Sequence, residues 1–241
     1  MTKELEFLIN ISKAAGALIT ENMEVFQKGE NDLVTNFDLM LEKYIISQIK
    51  ENFPNFDIVS EEFNPSGKLT ENCFVIDPID GTINFANNYP LWAIQLACVK
   101  GGKTCAAVIY APKLNELFYA DEGGAFLNGK KITVSNFPKE KTICAHEGRD
   151  KILHNIEISK SIPHIRSTGS AAISFASVAA GRFGANLFTR DNPWDYIPGT
   201  YICKMAGAKI IEKKNCHIAA NSLDYAKFLE NVSDKVNSKH N

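Results

Sequence analysis

Residues 74–85 read Phe74-Val75-Ile76-Asp77-Pro78-Ile79-Asp80-Gly81-Thr82-Ile83-Asn84-Phe85, or FVIDPIDGTINF. A short apolar run, the pattern of a buried strand, ends in two aspartates three residues apart. A carboxylate at the end of a buried strand costs several kcal/mol to desolvate unless something positive meets it. The stretch is therefore a cap, a salt-bridge site or a cation site. Pro78 stiffens the turn so that both carboxylates can face one point. Ile79 offers only its carbonyl, Gly81 lets a backbone N–H approach a ligand, and Thr82 adds a hydroxyl. A helix starting here would present its first amides to an anion.

Three further acidic spots end a strand or start a helix: Asp32 before Leu33-Val34-Thr35, Glu61-Glu62 after an apolar run, and Asp195 in NPWDYIPG. Two like charges about 4 Å apart repel by ~1 kcal/mol in water and by ~4 at an effective dielectric of 20. Gathering such acids in one cleft therefore calls for cations. All-oxygen ligands select a hard ion, and Mg²⁺ is the natural candidate. Cations beside an anion cradle describe a phosphoryl-transfer site.

The 241 residues carry 26 Lys plus Arg against 28 Asp plus Glu. That balance offers no basic stripe for a nucleic-acid polymer and no polybasic arm for a membrane surface. No apolar run approaches the ~20 residues of a membrane span. The N-terminus lacks the order of a signal peptide. The six cysteines include no C-x-x-C pair and the five histidines no H-x-x-x-H. They read as buried reduced thiols of a cytoplasmic protein, with no zinc site.

Apolar spacing predicts an amphipathic helix over 3–26, a second over about 35–52, and a short strand at 57–60. An antiparallel meander follows, its segments punctuated by Gly-Gly, Pro-Lys and Asn-Gly. Strands and helices then alternate to a final helix from about Leu223. The sequence thus predicts a layered α/β protein.

At this point the motifs resemble those of the inositol monophosphatase family, Mg²⁺-dependent, lithium-sensitive sugar-phosphate phosphatases. DPIDGTINF is similar to the family signature, and NDLVTNFD (31–38) to its D-L-V-T-x-x-D segment. IVSEEF resembles its strand ending in two glutamates, with Ser60 where Gly is usual. EGGAFLNGKKITVS, RSTGSAA and PWDYIPGTYICKMAGA resemble its hairpin, substrate-side loop and W-D helix, in the same order. The resemblance implies a five-layer α/β/α/β/α sandwich of the inositol monophosphatase and fructose-1,6-bisphosphatase type. It would form one phosphatase unit, with an N-terminal lobe of about 1–137 and a C-terminal lobe of about 138–241 sharing a cleft.

The resemblance further implies two or three Mg²⁺ ions held by Glu61, Asp77, the Ile79 carbonyl, Asp80 and Asp195. Thr82 and Asp32 would activate the attacking water, with Glu61 and Asp80 also serving catalysis. Phosphate would meet Asp80 and the amides of Gly81 and Thr82. Ala171, Phe188, Arg190 and Asp195 would face the rest of a small phosphate ester. A homodimer is implied too, with the apolar stretch from Trp92 to Cys98 as a contact surface. Family relatives serve inositol phosphates, histidinol phosphate, fructose bisphosphate and 3′-phosphoadenosine phosphates.

Three departures bear on the substrate. Inositol-specific members place a Glu seven residues before the final Asp, where this chain has Phe188. Arg190 and Asp191 are added near the expected mouth of the site, and Ile197-Pro198 replaces Ala-Ala, with Pro198 expected in the first turn of its helix. An aspartyl-nucleophile phosphatase would need D-x-D, which is absent from this motif. A non-catalytic binder would need neither Thr82 nor its acidic partner.

Overall fold

A computed structural model describes residues 1–20, 22–29, 32–148 and 151–238, and its description excludes the side chains of residues 32 and 151–153. The chain opens with α1 (Lys3–Ala17), the antiparallel pair β1 (Val25–Gly29) and β2 (Asp32–Thr35), and α2 (Asn36–Asn52). Next come β3 (Asp57–Ser60), β4 (Cys73–Asp80), the short α3 (Thr82–Ala86), β5 (Ala93–Lys100), β6 (Lys103–Ala111), β7 (Glu116–Asp121), β8 (Gly124–Leu127) and β9 (Lys130–Lys131). The remainder is β10 (Cys144–Gly148), α4 (Lys151–Ser159), β11 (Ile165–Arg166), α5 (Ala171–Ala179), β12 (Ala185–Thr189), α6 (Pro193–Met205), β13 (Lys209–Lys213), β14 (Cys216–Ala220) and α7 (Leu223–Asn237).

Strands β3 to β9 form one sheet in sequence order, antiparallel throughout except for the parallel β3–β4 pair. A second sheet has the order β11-β10-β12-β14-β13. Side-chain alternation along the strands divides the core into layers. Phe74 and Ile76 of β4, with Leu96 and Cys98 of β5, pack under α1 and α2 through Leu5, Leu8, Leu41 and Ile45. Their neighbours Val75, Ala93 and Ala97 face α5 and α6 on the opposite side. Phe188 and Ala219 of the second sheet join that middle layer. Leu187 and Ile218 point the other way, to Ile158 of α4 and to Tyr225 and Leu229 of α7. The result is the expected five-layer α/β/α/β/α order.

The structure corrects several expectations. Helix α1 stops at Ala17, not near residue 26, although Ile19 and Met23 still pack on the first core. The chain turns there into β1, whose residues are all exposed. The stretch from Trp92 to Cys98 cannot be a contact surface. It lies in an interior strand and is buried on both faces. Pro198 sits in the second turn of α6, because Asn192 caps that helix and Pro193 begins it.

Helices α5 and α6 approach closely in the middle layer. A Cβ on Gly199 would lie 2.6 Å from Phe175 Cβ, Cγ and Cδ2. Gly199→Val is therefore expected to cost about 1–3 kcal/mol through overpacking. At about 2–4 °C per kcal/mol for a chain of this size, calorimetry should show a clearly lower Tm. An unchanged Tm would mean that the helices separate without cost.

Candidate active site

The two aspartates of β4 share a face because the strand carries an extra residue. In the β4–β5 pairing Asp77 stands opposite Gln95 and Asp80 opposite Ala93, so three steps on one strand match two on the other. Without this bulge, residues three apart would point to opposite faces. Pro78 sits inside the irregularity, one of the few places in a sheet that tolerates a missing N–H. Asp77 Oδ1 accepts from Ile79 N at 3.1 Å, and its Oδ2 accepts from Gln95 Nε2 at 3.2 Å. Gly81 then turns the chain into α3 with φ +93°, a left-handed conformation that favours glycine. A Cβ there would also meet Leu91 O at 3.1 Å and Ser170 Cβ at 3.2 Å.

Other elements bring the remaining acids. Glu61 follows β3, and its amide donates to Ile76 O of β4. Asp195 lies in the first turn of α6, where Asn192 Nδ2 donates to its Oδ2 at 3.0 Å. Asp77, Asp80 and Asp195 each place a carboxylate oxygen within 4.8 Å of the others. With Glu61, Ile79, Gly81, Thr82, Ala171, Phe188 and Arg190 they line a cleft of about 310 Å³.

Among the described residues no basic side chain pairs with Asp77 or Asp80. Lys28 Nζ reaches Glu61 Oε1 at 3.6 Å and Glu62 Oε1 at 2.7 Å. Burial pushes the Glu61 carboxyl up to about 8; Asp195 adds to this and Lys28 opposes it. Asp77 is raised well above the usual carboxylate range by burial, then by Glu61, Asp80 and Asp195. Asp80 is pushed up to about 6 by burial, against the Ser170 hydroxyl and the Ala172 amide that hold its charge. A buried all-oxygen set that resists ionisation on its own is the donor chemistry of a hard divalent cation.

Thr82 Oγ1 donates to Ile79 O at 3.0 Å and lies 3.3 Å from Asp38 Oδ1. The acid expected beside it was Asp32, whose side chain lies outside the described residues. The described partner is Asp38, held at the start of α2 by a capping box with Thr35. Thr35 N donates to Asp38 Oδ2 at 2.7 Å and Asp38 N to Thr35 Oγ1 at 3.3 Å. Asp38 is fully buried, and burial pushes its carboxyl up to about 6 against the Thr35 hydrogen bonds. The sequence signal was present in Thr35-x-x-Asp38.

Phe188 is 3% exposed, its ring against Phe175 and His217, so it offers the cleft almost no stacking face. Arg190 is exposed at the cleft and makes no ion pair among the described residues. Asp191 turns away: it accepts from Asn215 N at 2.5 Å and meets His217 Nε2 at 3.0 Å. Glu147 lines the cleft too, unforeseen because His-Glu-Gly on a strand carries no motif.

A model of the inositol monophosphatase family matches residues 1–239. The fructose-1,6-bisphosphatase/inositol-1-monophosphatase of Thermotoga maritima is 36% identical over 222 residues, covering 86% of this chain and 84% of the relative. The Nus factor SuhB of Escherichia coli K12 is 33% identical over 260 residues, covering 96% of each. Among solved structures, the Thermotoga maritima IMPase matches with a TM-score of 0.84 at 32% identity, covering 97% of this chain and 96% of that one. The extragenic suppressor protein suhB of Bartonella henselae gives 0.85 at 28% identity, covering 96% and 98%.

The raised carboxyls fix a pH dependence. Each binds its proton more tightly in the fold than in the unfolded chain, where carboxyls titrate near 4. Their contribution to stability is present below about 4 and is lost as pH rises through about 6 and about 8. In EDTA, Tm should therefore fall between pH 5 and pH 8.5. Added Mg²⁺ should raise Tm more at pH 8.5 than at pH 5. Thermal melts with equal Mg²⁺ shifts at both pH values would contradict this account.

Proposed function

The chain belongs to the inositol monophosphatase family, and we propose that it is a Mg²⁺-dependent phosphomonoesterase acting on a small phosphorylated metabolite. One observation carries the reading: three aspartates converge within 4.8 Å beside a threonine hydroxyl backed by a buried acid. Glu61, Asp77, the Ile79 carbonyl, Asp80 and Asp195 would hold two or three ions. When bound, such ions supply Lewis-acid neutralisation of phosphate charge and acidify water.

The protein's own groups do the rest. Thr82 orients the attacking water through its hydroxyl, and Asp38 serves as an acceptor for that hydroxyl. The amides of Gly81 and Thr82 hold phosphate oxygens in line with that water. Asp195 sits where the leaving oxygen regains its proton. No covalent phospho-enzyme is required. One unit with two lobes meeting at this cleft serves the reaction. A homodimer remains part of the proposal, with its contact surface elsewhere than β5.

The relatives named as Nus factors raise a role outside catalysis. The paired Thr82 and Asp38 favour catalysis, since a binder has no use for a hydroxyl held by a buried acid.

The substrate follows from what surrounds the acids. A carboxylate facing a sugar accepts hydrogen bonds from its hydroxyls, and buried Phe188 provides none. Arg190 offers a second anionic group a planar, bidentate donor. A doubly anionic ester such as fructose 1,6-bisphosphate, one substrate in the name of the Thermotoga relative, suits this mouth better than inositol 1-phosphate.

Phosphate release across a panel of esters, in Mg²⁺ and in EDTA, tests the reading directly; full activity in EDTA would refute it. Arg190→Ala should lower kcat/KM for the doubly anionic ester about tenfold, or ~1.4 kcal/mol, and leave inositol 1-phosphate within about twofold. A wild-type preference for inositol 1-phosphate would discard the substrate assignment alone.

If Thr82 and Asp38 act as a unit, their effects should not multiply. Thr82→Ala and Asp38→Asn should each reduce kcat by about 10²-fold or more, with the double variant hardly worse. Kinetics in which the two losses multiply would separate their roles.

A further inference from the structure

Glu147 takes no part in the chemistry just described, yet it is 3% exposed in the wall of the cleft. It stands on β10 directly beside Phe188 of β12. Position 188 is where inositol-specific relatives carry a carboxylate, so one reading would make Glu147 its substitute, accepting from substrate hydroxyls.

The hydrogen bonds argue otherwise. Glu147 Oε1 accepts from the consecutive amides of Thr168 and Gly169, the latter at 3.2 Å, and from Ser174 Oγ at 3.3 Å. Its Oε2 accepts from Ser167 Oγ at 3.0 Å. Both oxygens thus accept from one stretch of chain, the turn between β11 and α5 and the first turns of α5. Buried amides must find acceptors, and a charged one binds them more firmly than a neutral one.

The same stretch ends on a metal-site carboxylate. The Ser170 hydroxyl donates to Asp80 Oδ2, and Ala172 N donates to that oxygen at 2.8 Å. Thr168 links the two halves: its Oγ1 lies 2.7 Å from Ser170 O and accepts from Ser170 N at 3.2 Å. A continuous set of bonds therefore runs from Glu147, through residues 167–172, to Asp80. That set crosses from the five-stranded sheet to the seven-stranded one.

We propose that Glu147 is a positioning residue: by clamping the 167–172 turn it holds Ser170 and Ala172 on Asp80, and so sets the affinity of the cleft for divalent cations. The assignment rests on the metal-dependent reading above. It predicts an effect on cation binding in the absence of substrate, which a hydroxyl-accepting role for Glu147 would not give.

The test is calorimetric titration of the full-length protein with Mg²⁺ alone. Partners of this kind typically change metal affinity 10–100-fold. Glu147→Gln keeps the size but turns one acceptor into a donor facing Ser167, and should weaken Mg²⁺ binding about tenfold. Ser170→Ala should weaken it as well, and Glu147→Gln added to Ser170→Ala should cost less than it does alone, because one of the two bonds to Asp80 is already gone and only that of the Ala172 amide remains. Ser167→Ala, which removes one hydroxyl and nothing buried beneath it, should weaken binding about threefold and serves if Glu147→Gln fails to fold. Mg²⁺ affinity within twofold of wild type in Glu147→Gln, or in Ser167→Ala if that must stand in, overturns the proposal. So do losses that multiply in the double variant. If wild-type protein binds no Mg²⁺, the phosphatase reading falls and this assignment with it.

Discussion

A single extra residue in β4 governs the site. The bulge between Asp77 and Asp80 turns a three-residue spacing into a same-face pair. Other elements add to the charge problem this creates. Glu61 comes from the parallel neighbour β3, and Asp195 from the start of α6. Helix α6 is held between the two sheets against α5, with Gly199 as the point of closest approach. The like charges are therefore kept together by packing at a distance from them. Burial first, and then the neighbouring acids, raise the Glu61 and Asp77 carboxyls, so the fold holds these groups against their own charge.

Much of this was legible in the sequence, for identifiable reasons. FVIDPIDGT announced a strand whose ladder becomes irregular near its end, because Pro78 has no N–H to give it. The alternation of strands and helices in the second half was read correctly because buried strands bounded by turn residues leave little ambiguity. The end of α1 was misread because Ile19 and Met23 remain half-buried at helical spacing after the helix has stopped. Periodicity reports burial, and burial continued. β14 escaped notice, since CHIAA shows no polar alternation and is buried throughout. Asp38 escaped notice as a partner of Thr82 because it looked like an ordinary acid in a first helical turn. Its second contact, to Thr82, spans 44 positions and leaves no local trace.

Chemistry and selectivity are built from different materials here. The groups that would handle phosphate lie on β4, β3 and the starts of α3 and α6, all anchored in packed layers. The group that would choose among esters, Arg190, is an exposed side chain just past the end of β12. Glu147 would belong to the first set although it stands beside the second, because its oxygens accept from backbone and hydroxyl donors. A carboxylate in a cleft wall is informative only once its own partners have been assigned.

Asp38 closes the first turn of α2 with one oxygen and meets Thr82 with the other. If the proposed reaction holds, one side chain would serve both helix stability and water activation, and the two could not be selected apart. A descendant that abandoned hydrolysis would still need this acid to start α2. Its retention in a relative would therefore say little about activity. Thr82 has no such second duty in capping a long helix, so loss of that hydroxyl is the more informative mark of a retired enzyme.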